Sequence, residues 1–281
     1  MNLPVEFTVV VLTYGDHYLL AERCLGSIIR TTSNDSVYVK RIVLLSNAAT
    51  EPRNLDHTLR HVSSNIECLH YASPVNRFKY PMMRKAFYDP DHPIATSHVV
   101  WFDDDSYIDP KLVNSRYWKM LAGSVYEDTR SDRGGDCGRH VLFGSTYRMR
   151  LRPNQRQAIE AQSWYDPGRS PVDPQGCVKF CTGGWWIADT AFLRSVDYPI
   201  PELKHNGGDV LLGAMVRTTR NHLVHTKCGV HINADADGRE SKAPRRGESQ
   251  SPLWADYDPS QTPDLSHQEF SVTPYDPRGT L

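Results

Sequence analysis

Short runs rich in β-branched and aliphatic residues recur through the first hundred positions, and each stops on polar residues. FTVVVL at Phe7–Leu12 runs into Thr13-Tyr14, VKRIVLL at Val39–Leu45 into Ser46-Asn47, and HVVWF at His98–Phe102 into Asp103-Asp104-Asp105. Continuous rather than alternating apolarity over five to seven residues marks strands buried on both faces. Between the runs, His17–Arg30 carries Leu20, Cys24, Leu25 and Ile28 at helical spacing; Asn54–Ser63 and Tyr80–Tyr88 are two further helix candidates, and Ile66–Tyr71 is another strand. Strands alternating with helices predict an α/β fold built on an open, mostly parallel sheet flanked by helices. Ligands of such sheets bind beyond the carboxyl ends of the strands, so the three polar strand ends are expected to converge on one crevice.

The rest of the chain is less regular. Val141–Arg150, Val178–Ile187 and Leu223–Ile232 read as strands, Gly208–Thr219 as a helix, and 131–140 and 164–175 as loops. One domain over residues 1–232 is expected, with a first half to about 110 and a second from about 111, followed by a polar, proline-rich, flexible tail over 233–281. A formal charge of -1 gives no global reason to expect nucleic acid or an anionic membrane as partner. Residues 1–6 lack a basic stretch leading into an apolar one, and no run of about 18 apolar residues exists, so the expectation is a cytoplasmic protein with no membrane span. Scattered cysteines fit reduced thiols.

The strand end WFDDDSYIDP carries the strongest chemical signal. Crowded carboxylates need a counter-charge, which a hard divalent cation supplies. On an extended segment Asp103 and Asp105 address one side and Asp104 the other. A solvated acidic turn before Pro110 is the plain alternative. Cys181-Thr182-Gly183-Gly184-Trp185-Trp186 adds paired glycines, which allow close backbone approach, and adjacent tryptophans, one of which is expected to face a ligand or to pack under a loop. His205-Asn206-Gly207-Gly208-Asp209 opens a helical pattern, where Asp209 is either a helix cap or an acid-base group. The cations of PVNRFKYPMMRKAF (Arg77, Lys79, Arg84, Lys85) are either ligand contacts or a solvated face.

The order VVVLTYG, LLSN, WFDDD, TGGWW and GGD resembles family 2 glycosyltransferases of the GT-A fold, over roughly residues 7–232. The resemblance implies a metal-dependent, inverting glycosyltransferase of hexosyl type using a nucleotide-sugar donor, with UDP favoured. It places Thr13, Tyr14, Asn47, Asn76, Arg84, Asp103, Asp104 and Arg246 with the nucleotide sugar, Asp103, Asp105 and His231 (alternatively His225) on Mn2+ or Mg2+, Gly183, Gly184, Trp185 and Trp186 on the acceptor side, and Asp209 as catalytic base. Ser46-Asn47 stands where many members carry an acidic residue for the base. The acceptor stays open between a glycan, a lipid-linked sugar, a protein side chain and a hydroxylated DNA base. A metal-dependent nucleotidyltransferase or phosphohydrolase, and a sugar-binding domain without turnover, are the competing readings; no GxxxxGK or HExxH pattern supports the former.

Overall fold

The computed structural model describes residues 5–33, 36–49, 55–130, 138–204, 207–232 and 271–275. In chain order the elements are β1 (Phe7–Tyr14), α1 (Tyr18–Thr32), β2 (Val39–Asn47), α2 (Asp56–Leu59), β3 (Glu67–Ser73), α3 (Lys79–Phe87), β4 (His98–Asp103), β5 (Tyr107–Ile108), α4 (Tyr117–Arg130), β6 (His140–Arg150), α5 (Pro153–Glu160), β7 (Cys177–Asp189), α6 (Thr190–Ser195), α7 (Gly208–Thr218), β8 (His222–His225), β9 (Val230–His231) and β10 (Ser271–Tyr275).

Among the described residues, eight strands form one open sheet in the order β10-β3-β2-β1-β4-β7-β6-β8. The β3-β2-β1-β4 segment is parallel, as the α-helical crossovers require. Beyond β4 the sheet turns antiparallel through the β6–β7 pair, and β8 then adds parallel to β6. Register aligns Thr13 with Ser46 and Tyr14 with Asn47, and sets Leu12 against Asp103. The three polar strand ends therefore meet on one edge, as the alternation of elements predicts.

Both sheet faces are covered, which explains the unbroken apolarity of the strands. Val9 and Val11 point into one core with Cys24, Leu25 and Ile28 of α1 and Trp118 of α4. Val10 and Leu12 point into the other, against Met82 and Met83 of α3 and Leu211 and Met215 of α7. Trp185 and Trp186 follow the same alternation. Trp185 packs near Phe102 in the first core, and Trp186 stacks on Trp101 in the second, with centroids 5.9 Å apart and planes at 13°. Each is at most 1% exposed. The expectation that one faces a ligand is corrected: it assumed a sheet with one core, and this sheet has two. Truncation of Trp186 to Ala should cost about 3–5 kcal/mol, the range for a large aromatic removed from a packed interior. Urea unfolding checks this, and a loss under about 1 kcal/mol would mean the stack contributes little.

Several boundaries differ from expectation. The predicted strand over 223–232 is two short strands, β8 and β9, because Cys228 and Gly229 take positive φ values of 42° and 69° and turn the chain between them. The predicted helix over 54–63 shortens to α2. Residues 271–275, expected within a flexible tail, pair antiparallel with β3 at the sheet edge. No helix among the described residues is long and apolar enough to cross a membrane.

Candidate active site at the carboxyl edge of the sheet

The acidic strand end does not continue extended. β4 stops at Asp103, and the Ser106 N–H donates to the Asp103 carbonyl at 3.0 Å, closing a turn that contains Asp104 and Asp105. The three carboxylates consequently take separate environments, and the expected pairing of Asp103 with Asp105 by strand alternation does not apply. Asp104 turns back onto β1. Its Oδ2 accepts from the Thr13 hydroxyl at 3.0 Å and the Tyr14 N–H at 3.3 Å, and lies 3.3 Å from His17 Nδ1. Thr13 and Asp104 thus serve each other, tying the first strand's loop to the acidic turn. Asp105 is 1% exposed.

Asp103 stays partly open. Its Oδ1 accepts from Trp101 Nε1 at 2.9 Å, and its Oδ2 accepts from the Lys79 ammonium at 2.9 Å. Lys79 Nζ also donates to the Gly183 carbonyl at 2.8 Å and lies 5.4 Å from the centre of the Trp101 ring. The ammonium is thus clamped between β4 and β7.

The loop before α3 explains how a lysine comes to sit there. Asn47, buried at the end of β2, donates through Nδ2 to Asn76 Oδ1 at 2.9 Å and accepts from the Arg77 N–H at 2.7 Å. Asn76 Oδ1 accepts from the Phe78 N–H as well, at 2.9 Å. This network holds Phe78 at φ 66°, a conformation costing a non-glycine residue about 1–3 kcal/mol, and the chain emerges with Lys79 and Tyr80 aimed inward. Asn47 and Asn76 meet, and their amides shape the loop.

Tyr80 reaches the second carboxylate. Its hydroxyl donates to Asp209 Oδ1 at 2.8 Å. Asp209 lies in the first turn of α7, whose cap is Gly207 at φ 87° with no side-chain bond, so Asp209 is not the helix cap. Gly208 is required beside it, because a Cβ there would overlap the Tyr80 ring. Gly183 lets β7 approach closely, since a Cβ on it would fall 2.9 Å from both Asp209 Oδ1 and Lys79 Nζ. Burial pushes the Asp209 carboxyl above its ordinary value; the Lys79 charge, the Tyr80 hydroxyl and the Gly183 N–H pull it back, while Asp103 pushes it further up. Burial likewise raises the Tyr80 hydroxyl, with the Asp209 charge adding to it.

The site is therefore a line of alternating charge, Asp103, Lys79 and Asp209, backed by Trp101, Tyr80 and Gly183. Lys79 and Tyr80 are the functional candidates least visible in the sequence. A lysine in the first turn opposes the helix macrodipole, and that mismatch is the signal for a partner outside the helix.

The remaining candidates have other surroundings. Arg84 lies at the far end of α3, where it pairs with Asp197 at 3.0 Å, donates to the Pro199 carbonyl at 2.6 Å and covers Tyr88, so it fastens a loop instead of facing the site. His231 pairs across to Tyr107, stacks on it at 4.8 Å and lies 3.5 Å from Asp109. His225 lies against Thr146, 3.1 Å from its N–H and hydroxyl. Arg246 falls outside the described residues. Among the described residues no three His, Cys, Asp or Glu group around one point, and the partly open carboxylate, Asp103, faces the Lys79 ammonium.

No family model matches the chain, and no curated protein matches it by sequence. Solved structures of S. aureus TarS are similar in shape. One aligns over 81% of this chain and 36% of its own, at 14% identity and TM-score 0.49. TarS 1–349 in complex with UDP aligns over 79% and 58%, at 15% and 0.48, and another structure of TarS 1–349 over 81% and 60%, at 14% and 0.46. The chain thus spans from about a third to three fifths of these structures' length.

Proposed function

We propose that the protein is a glycosyltransferase that moves a hexosyl group from a nucleotide-sugar donor, a UDP-sugar by preference, to a hydroxyl acceptor with inversion. The observation that carries this reading is Asp209: a carboxylate at the carboxyl edge of the sheet, oriented by Tyr80 and the Gly183 N–H, with its proton affinity raised by burial. A base whose pKa lies nearer neutrality is better matched to taking a hydroxyl proton. In the transfer the acceptor oxygen attacks the anomeric carbon, its proton passes to Asp209, and the bond from that carbon to the diphosphate breaks as the nucleotide leaves. Lys79 supports the step by holding positive charge between the strand-end carboxylate and the base.

The direct test is a screen of nucleotide sugars by thermal shift, with and without Mn2+. A donor present at 100 times its dissociation constant adds about 2.7 kcal/mol of stability by mass action, a shift of a few degrees. Nucleoside triphosphates raising the melting temperature while nucleotide sugars do not would favour nucleotidyl transfer and overturn the reading.

A further inference from the structure

Tyr198, just beyond α6, packs behind the candidate base. Its side chain is fully buried, edge-on to Tyr80 with centroids 6.2 Å apart and planes at 72°, and edge-on to Trp186 at 6.5 Å and 71°. Its backbone is tied on both sides: the N–H donates to the Leu193 carbonyl at 2.9 Å, and the carbonyl accepts from the Tyr88 hydroxyl at 3.1 Å. The ring is thus held in place, and the hydroxyl hydrogen is what can turn.

That hydroxyl has no hydrogen-bond partner among the described residues, while the Tyr80 hydroxyl beside it is committed to Asp209. Leaving a hydroxyl unsatisfied in a packed interior is costly, so its retention calls for a reason. The two phenols and the carboxylate form one electrostatic group: burial and the Asp209 charge push the Tyr198 hydroxyl up, and the Tyr80 hydroxyl pulls it back. Besides Tyr80, the groups that bear on Asp209 are Lys79 from α3, Asp103 from β4, and Cys181 and the Gly183 N–H from β7. Lys79, Tyr80 and Asp103 already have partners while Asp209 is ionised, whereas Tyr198 has none.

We propose that Tyr198 is a positioning residue for Asp209: its oxygen accepts the Tyr80 hydrogen bond once the base has taken up a proton. The proposal rests on the transferase reading for its purpose, and on the packing of the three side chains for its chemistry. As the acceptor's O–H bond breaks, a new O–H bond forms on the Asp209 carboxyl, and no proton leaves either tyrosine. A neutral carboxyl accepts a hydrogen bond more weakly than a carboxylate. The Tyr80 O–H therefore turns about its C–O bond and donates to the Tyr198 oxygen, which gains the partner it lacks. The protonated base is stabilised relative to the ionised one, and Tyr198 acts on it through Tyr80 without touching substrate.

Carboxyl-carbon NMR of Asp209 between pH 4 and 8, assigned with Asp209→Asn, tests this without any donor. Tyr198→Phe keeps the ring and removes a hydroxyl that has no partner while Asp209 is ionised, so the chain should fold. Its Asp209 midpoint should fall by about 0.7 pH unit, about 5-fold in proton affinity, the size of one neutral hydrogen bond. Tyr88→Phe removes the hydroxyl that holds the Tyr198 carbonyl and should leave the midpoint in place. In a Tyr80→Phe background, Tyr198→Phe should shift nothing further, since its effect runs through Tyr80. An unchanged or raised midpoint in Tyr198→Phe, an equal fall in Tyr88→Phe, or a further fall in the double variant overturns the proposal. Failure of Tyr198→Phe to fold overturns it as well, because the hydroxyl would then serve the fold. Calorimetry of UDP-sugars with the wild type runs alongside: no donor binding would overturn the transferase reading while leaving the NMR result to stand by itself.

Discussion

Asp209→Asn should fold and bind donor normally yet turn over about 10²- to 10⁴-fold more slowly, the usual contribution of a positioned general base. The amide keeps an oxygen for the Tyr80 hydroxyl, and because burial already disfavours the Asp209 charge, a neutral group costs the fold little. The pH dependence separates this from a structural role. The Asp209 carboxyl is raised above its ordinary value, so the wild-type rate should fall off on the acid side at a higher pH than an exposed aspartate would produce, because the protonated form cannot accept the hydroxyl proton. The Asn variant should retain a residual rate that lacks this acid limb. Single-turnover rates between pH 4 and 8 check both points. Near-wild-type turnover in a folded Asp209→Asn protein would remove Asp209 from the chemistry.

The strands were legible because two-sided burial leaves its mark directly in the sequence: FTVVVL and HVVWF can only sit between two helical layers. The convergence of Thr13, Asn47 and Asp103 on one edge followed from strand order alone. What could not be read was how each polar side chain resolves its own hydrogen bonds. Asp103, Asp104 and Asp105 look equivalent in sequence, yet a turn at Ser106 sends Asp104 to Thr13 and His17 and leaves Asp103 to Lys79. Arg84 and Lys79 look interchangeable too, and one turn of α3 separates a loop fastener from the centre of the site. The tryptophan pair was misjudged for the opposite reason: the alternation was read correctly, but the second core was not counted.

These differences change what supplies the counter-charge. The crowding of three aspartates argued for a divalent cation, whereas in the folded chain Asp103, Asp104 and the nearby Asp209 each have protein partners. Asp104 takes two hydrogen-bond donors and an imidazole, Asp103 takes an ammonium and an indole N–H, and Asp209 takes a phenol and a backbone N–H. Lys79 matters most among these partners because it acts on two carboxylates at once.

Lys79→Met should therefore be the most damaging single change at the site for stability. Breaking a buried ion pair costs about 3–5 kcal/mol, and since Asp103 retains 25% side-chain exposure the lower end, about 3 kcal/mol, is expected. The loss should depend on pH. Without the ammonium, the Asp209 carboxyl, already raised by burial, loses the charge that lowers it, and a group raised in this way stabilises the fold at low pH and loses that stabilisation as pH rises through the folded value. The deficit of Lys79→Met against wild type should thus be largest at neutral pH and shrink toward acid pH, as the Asp209 carboxyl takes up its proton. The acid limb of any remaining turnover should also move to higher pH, because Lys79 is the charge that lowers the Asp209 carboxyl. Two companions keep the outcome interpretable. Asp103→Asn combined with Lys79→Met should recover part of the stability by removing the stranded charge, whereas Lys79→Arg keeps the charge in a different shape and should be intermediate. Urea unfolding of the set at pH 4 and pH 7 decides it: a deficit for Lys79→Met that is equal at both values would show that Lys79 contributes packing of its aliphatic stem and not the charge that joins Asp103 to Asp209.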